Sequence, residues 1–341
     1  MNITYLIGNG FDISIGLHTK YEQFYRHLTK KNKFNKDDFD ITRNIMNSIE
    51  NGDDLWSDFE LGLGNYVERI KNSERLEQFI EEKFQIENEL KNYLKLQEER
   101  IEWNLDRAKE AGIEFYKAVK ELNYLEDVFE DYTSCSYINS KFDSINVINF
   151  NYTNVIERIV ENINLDEVLY LHGKVDRNII LGVDDKEQIK NMIYNDNEEM
   201  VLSMCKRDMM NHDSKKRLKN ARLLLSEKTD YVFIYGLSVG ETDRFWWDVI
   251  EDSLKTGNIK KVVIFWYDAN IDLQLRTKVR RKKESVKRKF LKKYYNDENI
   301  RNNVEVIINS DIFNSVQEVI KELIDMKEQR EQREQILRSI R

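Results

Sequence analysis

The chain has 341 residues, a formal net charge of −8, 40% apolar and 34% charged residues. That suffices for one large α/β domain, or a core domain with a sizeable insertion, carrying long solvated helical faces. The acidic balance argues against a protein that coats nucleic acid. No stretch approaches ~18 uninterrupted apolar residues, so no membrane span is expected.

In chain order, the first predicted strand is Ile3–Ile7; the N-terminus lacks the basic start, apolar run and small-residue cleavage site of a secretory leader, and none is expected. It closes on Ile7-Gly8-Asn9-Gly10-Phe11-Asp12. Two glycines around one residue allow a tight turn and let a ligand approach the main chain, and a helix starting nearby would turn N–H groups toward an anion. The interval from Leu17 to Asn139 reads as helices. Ile86, Leu90, Leu94, Gln97, Ile101, Leu105 and Ala108 keep the spacing of one helical face. Trp56 and Phe59 read as core anchors there, with Asp58 and Glu60 able to reach a pocket.

Later strands are predicted at Asn146–Phe150, Val168–Leu171, Ile179–Leu181, Tyr231–Tyr235, Val262–Tyr267 and Val304–Ile308. Several are apolar without alternation, as strands covered on both faces are, and helical patterns separate them. The expected fold is a doubly wound, mostly parallel, Rossmann-like α/β sheet with a large helical insertion after strand one. Residues 1–16 and 140–312 would form the core, 17–139 the insertion and 313–341 a C-terminal helix or arm. Absence of proline permits long helices.

Three further strand ends are polar: Asn151-Tyr152-Thr153-Asn154, His172-Gly173, and Gly236-Leu237-Ser238 with Asp243 beyond. Each has a plainer role, as helix cap, turn histidine or strand terminator. Parallel strands would nonetheless gather all of them with the first turn on one edge, which is where such sheets bind ligands. Trp246 and Trp247 are expected to pack a helix onto the sheet. His18, His27 and His212 show no ligand spacing, and Cys135 and Cys205 make neither a disulfide framework nor a four-thiolate zinc site. No metal and a cytoplasmic location are expected.

With Gly16-Leu17, Thr19, Tyr21 and Phe24, the first turn resembles the start of the AbiH family of bacterial abortive-infection, phage-defence proteins. Trp56-Ser57-Asp58-Phe59-Glu60, Asn149-Phe150-Asn151-Tyr152-Thr153, His172-Gly173 and Tyr235-Gly236-Leu237-Ser238 follow in the family's order. More distantly, these motifs resemble sirtuin-like NAD hydrolase domains. That resemblance implies Asn151 and His172 as catalytic residues. It places Gly8 and Gly10 at a pyrophosphate and Gly236 and Ser238 toward the adenosine, with Asn9, Phe11, Asp12, Thr153 and Asp243 around the same ligand. Thr153 stands where the sirtuin-like pattern has Asp, and the four zinc cysteines of deacetylating sirtuins are missing.

The resemblance implies NAD as substrate or ligand, a homo-oligomer or defence-system partner, and a phage-derived trigger. Two other readings use other features. Between Arg276 and Lys293 stand eleven Lys or Arg and one acid, Glu284, with Leu275, Val279, Val286 and Phe290 on one face. Such a helix could contact nucleic-acid phosphates, or simply be solvated or pair with an acidic surface. The same nucleotide pocket could also sense its ligand without catalysis.

Overall fold

A computed structural model of the chain describes residues 1–30, 41, 43–44, 59–120, 143–161, 163, 165–191 and 197–340. Trp56, Asp58 and Cys135 lie outside them. Six strands form one sheet: β1 (Asn2–Ile7), β2 (Ser144–Asn149), β3 (Glu167–Tyr170), β4 (Tyr231–Tyr235), β5 (Lys261–Trp266) and β6 (Val304–Ile308). Their order is β3-β2-β1-β4-β5-β6, and every neighbouring pair is parallel. The α/β expectation holds. Register brings Ile7 level with Asn149 and Tyr235, and Asn149 level with Tyr170, so four strands end along one line.

The described helices after β1 are α1 (Asn9–Ser14), α2 (Tyr21–Lys30), α3 (Phe59–Tyr66), α4 (Ser73–Glu98) and α5 (Leu105–Lys120). Next, α6 (Val155–Val160) joins β2 to β3, and α7 (Glu198–Met204), α8 (Lys206–Met209) and α9 (His212–Leu223) precede β4. Then come α10 (Arg244–Thr256) after β4, α11 (Arg276–Phe290) and α12 (Glu298–Asn302) after β5, and α13 (Asn314–Ile340) after β6.

Alternation of the buried strands divides the apolar side chains between two faces. Tyr5, Val147, Phe233 and Phe265 pack with Phe115 of α5, Ile159 of α6 and Phe313, Val316 and Ile320 at the start of α13. Leu6, Ile148, Ile234, Ile264 and Val306 pack with Trp246 and Trp247 of α10 and Val286 and Phe290 of α11, so the Trp pair does anchor a helix to the sheet. A third cluster joins Phe24, Phe59, Phe79, Ile86 and Leu90 to Val175, Ile179, Leu181 and Met204. The helices after β1 therefore pack on the excursion between β3 and β4.

That cluster explains two departures from expectation. Ile179–Leu181 is not a sheet strand. Its chain folds back on the β3 end, Ile180 N–H donating to the His172 carbonyl at 2.8 Å, and Ile179 and Leu181 serve the third cluster. The helical face of 86–108 spans two helices. Asn72 caps α4, its side chain accepting from Arg75 N–H, but α4 ends at Glu98. Asn104 then accepts from Arg107 N–H at 2.9 Å to start α5, leaving Leu105 76% exposed. The periodicity continued across a corner.

Residues beyond Met326 extend α13 away from the core, tied at its root by Arg100–Glu328 at 2.8 Å and Arg107–Glu322 at 2.6 Å. The basic run divides in two. Lys282 pairs with Asp268 at 2.7 Å, Lys283 with Glu305 at 2.9 Å, Lys292 with Glu241 at 2.5 Å and Lys293 with Asp252 at 3.2 Å, while Lys289 donates to the Ser238 carbonyl. Arg276, Lys278, Arg280 and Arg281, all exposed, make no ion pair among the described residues. No helix among the described residues is long and apolar enough to cross a membrane.

Candidate functional site at the carboxyl edge of the sheet

At the end of β1 the chain enters α1 directly from Gly8. Three main-chain N–H groups of this turn are taken. Gly8 N–H donates to the Tyr235 carbonyl at 2.9 Å, Gly10 N–H to the Gly236 carbonyl at 2.8 Å and Phe11 N–H to the Gly8 carbonyl at 2.9 Å. The space beside the glycines is taken as well. A Cβ on Gly10 would lie 2.4 Å from Gly236 Cα, and one on Gly236, whose φ is +71°, 2.6 Å from Phe11 N. So Gly8, Gly10 and Gly236 close β1 onto β4, and the N–H groups of Gly8, Gly10 and Phe11 are bonded within the fold. Gly236→Ala is expected to cost at least about 2 kcal/mol, from overpacking added to the backbone conformation. Gly257 is the control, with φ +79° and open space around it. Equal losses of urea midpoint in Gly236→Ala and Gly257→Ala would show that the contact is unimportant.

Two other residues of the turn also serve the fold. Asn9 holds the loop ahead of α2, its Nδ2 donating to the Thr19 carbonyl at 3.0 Å and its Oδ1 accepting from Thr19 Oγ1 at 2.5 Å. Phe11 is fully buried, with its ring 5.5 Å from that of Phe313. Ser238 is exposed, beyond the bend.

Asp12 is different. It is 1% exposed, at the β1 end, and the β2 end wraps it. Thr153 Oγ1 donates to Asp12 Oδ2 at 2.7 Å and Asn151 Nδ2 to Asp12 Oδ1 at 3.2 Å. Burial pushes the Asp12 carboxyl up to about 7; Glu98 adds to this and the two hydrogen bonds oppose it. Asn151 N–H donates to Asn149 Oδ1 at 3.0 Å, yet Asn151 Oδ1 is buried without a hydrogen-bond partner. Such a carbonyl is uncommon in a folded interior and marks a place where a donor is missing.

A second buried cluster forms around the β3 end. His172, 6% exposed at the β3 end, places Nε2 3.3 Å from Asp243 Oδ1, and its ring lies 5.4 Å from Phe150 and 6.2 Å from Tyr152. Asp243 Oδ1 also lies 3.2 Å from Lys206 Nζ, which reaches Glu60 Oε2 at 2.8 Å and the Thr242 carbonyl at 3.1 Å. All three ammonium hydrogens are thus engaged. Burial alone would lower Lys206 and raise Asp243; their mutual attraction, with Glu60 and His172, outweighs it and drives Lys206 up and Asp243 down. Asp184 stands beside this group, raised by burial to about 6, and accepts from Phe245 N–H at 2.7 Å. Tyr152 links the clusters, its hydroxyl donating to the Ile180 carbonyl at 3.1 Å.

The structure therefore brings together Asp12, Asn151 and Thr153 in one group, and His172 and Asp243 in the other. It adds Lys206 as the ion-pair partner. Nothing in the periodicity around Lys206 distinguishes it from an ordinary surface lysine. Glu60 was within reach of sequence reasoning, since it sits in the Trp-Ser-Asp-Phe-Glu motif. No group of three or more His, Cys, Asp or Glu suited to a metal occurs among the described residues.

A model of the family described as bacteriophage abortive infection AbiH matches residues 4–265. The chain belongs to the AbiH family. That match runs from β1 to the end of β5 and includes every residue of both clusters, which makes this an abortive-infection, phage-defence protein. No curated protein matches the chain. The AbiH match stops before the basic helix α11 and the helix α13, so the polar edge lies within the shared part of the family and those two helices outside it.

Proposed function

We propose that this phage-defence protein binds a dinucleotide at the carboxyl edge of the sheet and, on infection, hydrolyses the nicotinamide–ribose bond of NAD. One observation carries the reading: the buried, unpartnered Asn151 Oδ1, within a polar group built from two strand ends, beside a second group holding His172. The likeness of these strand-end motifs to sirtuin-like NAD hydrolases supports it.

Breaking that bond passes through an oxocarbenium-like state and asks for positioning and charge stabilisation more than for covalent chemistry. Water attacks the ribose carbon as nicotinamide leaves, giving ADP-ribose. Asn151 orients the ribose hydroxyls or the water. With His172 Nε2–H directed at Asp243, the other ring nitrogen is the one able to take the proton from water. Lys206 keeps Asp243 ionised, and Asp243 holds the imidazole in that tautomer.

The test is to incubate the purified protein with NAD, with and without phage lysate, and follow nicotinamide. Asn151→Ala and His172→Ala are each expected to lower release by at least about 100-fold and to abolish protection against phage. Protection that survives both substitutions would sink the proposal.

A further inference from the structure

We propose that Asp12 is a specificity-determining residue: it fixes the side-chain amide of Asn151 so that Asn151 Oδ1 receives a neutral hydrogen-bond donor of the ligand, a ribose hydroxyl, and no phosphate. The inference rests on the nucleotide reading of this edge but not on cleavage.

Above neutral pH, where Asp12 is ionised, its carboxylate only accepts hydrogen bonds. Asp12 takes one from Thr153 Oγ1 at 2.7 Å and one from Asn151 Nδ2 at 3.2 Å, so the amide must turn its nitrogen toward Asp12. Asn151 Oδ1 is left on the other side of the planar group, buried and without a donor. That orientation follows from the hydrogen-bond network. Whatever seats there must bring a hydrogen.

A phosphate brings none, and its charge would meet Asp12 and the Glu98 carboxylate that acts on it. The buried cation of this edge, Lys206, already holds Glu60, Asp243 and the Thr242 carbonyl. The N–H groups of Gly8, Gly10 and Phe11 are bonded within the fold. What β1 contributes to the ligand is thus the carboxylate that aims Asn151. A ribose hydroxyl and a carboxamide NH₂ both carry suitable hydrogens, and the probes below separate them.

The experiment measures binding by calorimetry, above neutral pH, for NAD, ADP-ribose, analogues of each lacking one ribose hydroxyl, and nicotinamide. The proteins are wild type, Asn151→Leu and Asp12→Asn. In wild type, loss of the critical hydroxyl is expected to weaken binding roughly 10- to 100-fold, in ADP-ribose as in NAD. Asn151→Leu should bind the hydroxyl and deoxy forms alike. Asp12→Asn, where the new amide can itself donate and let Asn151 turn over, should lose most of the discrimination while remaining folded. Discrimination with no nicotinamide release, even after addition of phage lysate, would uphold this inference and overturn NAD hydrolysis. NAD cleavage with equal binding of every deoxy analogue would overturn this inference and leave hydrolysis standing. Asn151-dependent binding of nicotinamide alone, or equal binding of all probes by wild type and Asn151→Leu (an ordered water only on Oδ1), would also overturn it.

Discussion

Asp12→Asn is expected to make the protein more stable above neutral pH and to flatten its stability between about pH 4 and pH 7. In the unfolded chain Asp12 ionises near the ordinary aspartate value of about 3.9, while in the folded protein burial holds it at about 7. Below the lower value both states are protonated and Asp12 costs nothing. Between the two, the folded state binds the proton that the unfolded state has lost, so wild-type stability falls as pH rises. Above about 7 the loss is complete, on the order of 4 kcal/mol. Asn has no such proton to lose, and it retains hydrogen-bonding atoms for Thr153 and Asn151. Urea midpoints from pH 5 to pH 9 should therefore diverge, with wild type dropping away from the variant. Parallel curves would mean that the carboxyl is not held above the normal range. A gain would show that the buried Asp12 carboxyl costs the fold stability.

Lys206→Met should produce the largest loss, about 3–5 kcal/mol. Lys206 is 3% exposed, and its ammonium is the shared partner of Glu60 from α3 and Asp243 just ahead of α10. Removing it leaves two carboxylates facing each other in a place from which water is largely excluded. Asp243, held below the ordinary range by Lys206 and His172, would lose much of that stabilisation. In wild type its contribution is present above the normal aspartate range and is lost as pH falls below it. Adding Glu60→Gln to Lys206→Met should recover part of the loss, because one unpaired charge is gone. The coupling is measured by urea denaturation of the two single variants and the double variant. Losses that add within about 0.5 kcal/mol would show that the pair is not coupled. The same ion pairs tie the helices after β1, the excursion after β3 and the β4 end together, so the cluster joins the segments that surround His172.

Much of this was legible along the chain. Unalternating apolar runs such as Val262–Ile264 identify strands covered on both faces, because a strand without a solvent face has no reason to alternate. Ile179–Leu181 shows the limit of that signal: three apolar residues bury equally well in a coil that folds back onto a separate cluster. The helical face through Leu105 failed for a related reason. Spacing records which residues are apolar, and it does not register the corner at which α4 leaves the third cluster and α5 turns onto the first.

The opening turn shows most clearly where the two levels divide. Local sequence determined the tight strand-to-helix turn, the parallel α/β alternation and the polar character of four strand ends, because these depend on backbone freedom and on hydrophobic pattern. Only the tertiary structure decided what each polar group touches. Gly10 lies against Gly236, 226 positions later in the sequence, and so packs β1 closely on β4 at the turn where the motif suggested a phosphate. Asp12 meets Asn151 and Thr153 because β1 and β2 end level. Lys206 becomes a buried ion-pair centre because the excursion after β3 carries it between Glu60 and Asp243. Partners far apart in sequence leave no periodic trace, since no local interaction constrains their spacing; the free energy that selects them appears only when the strand ends are brought to one edge.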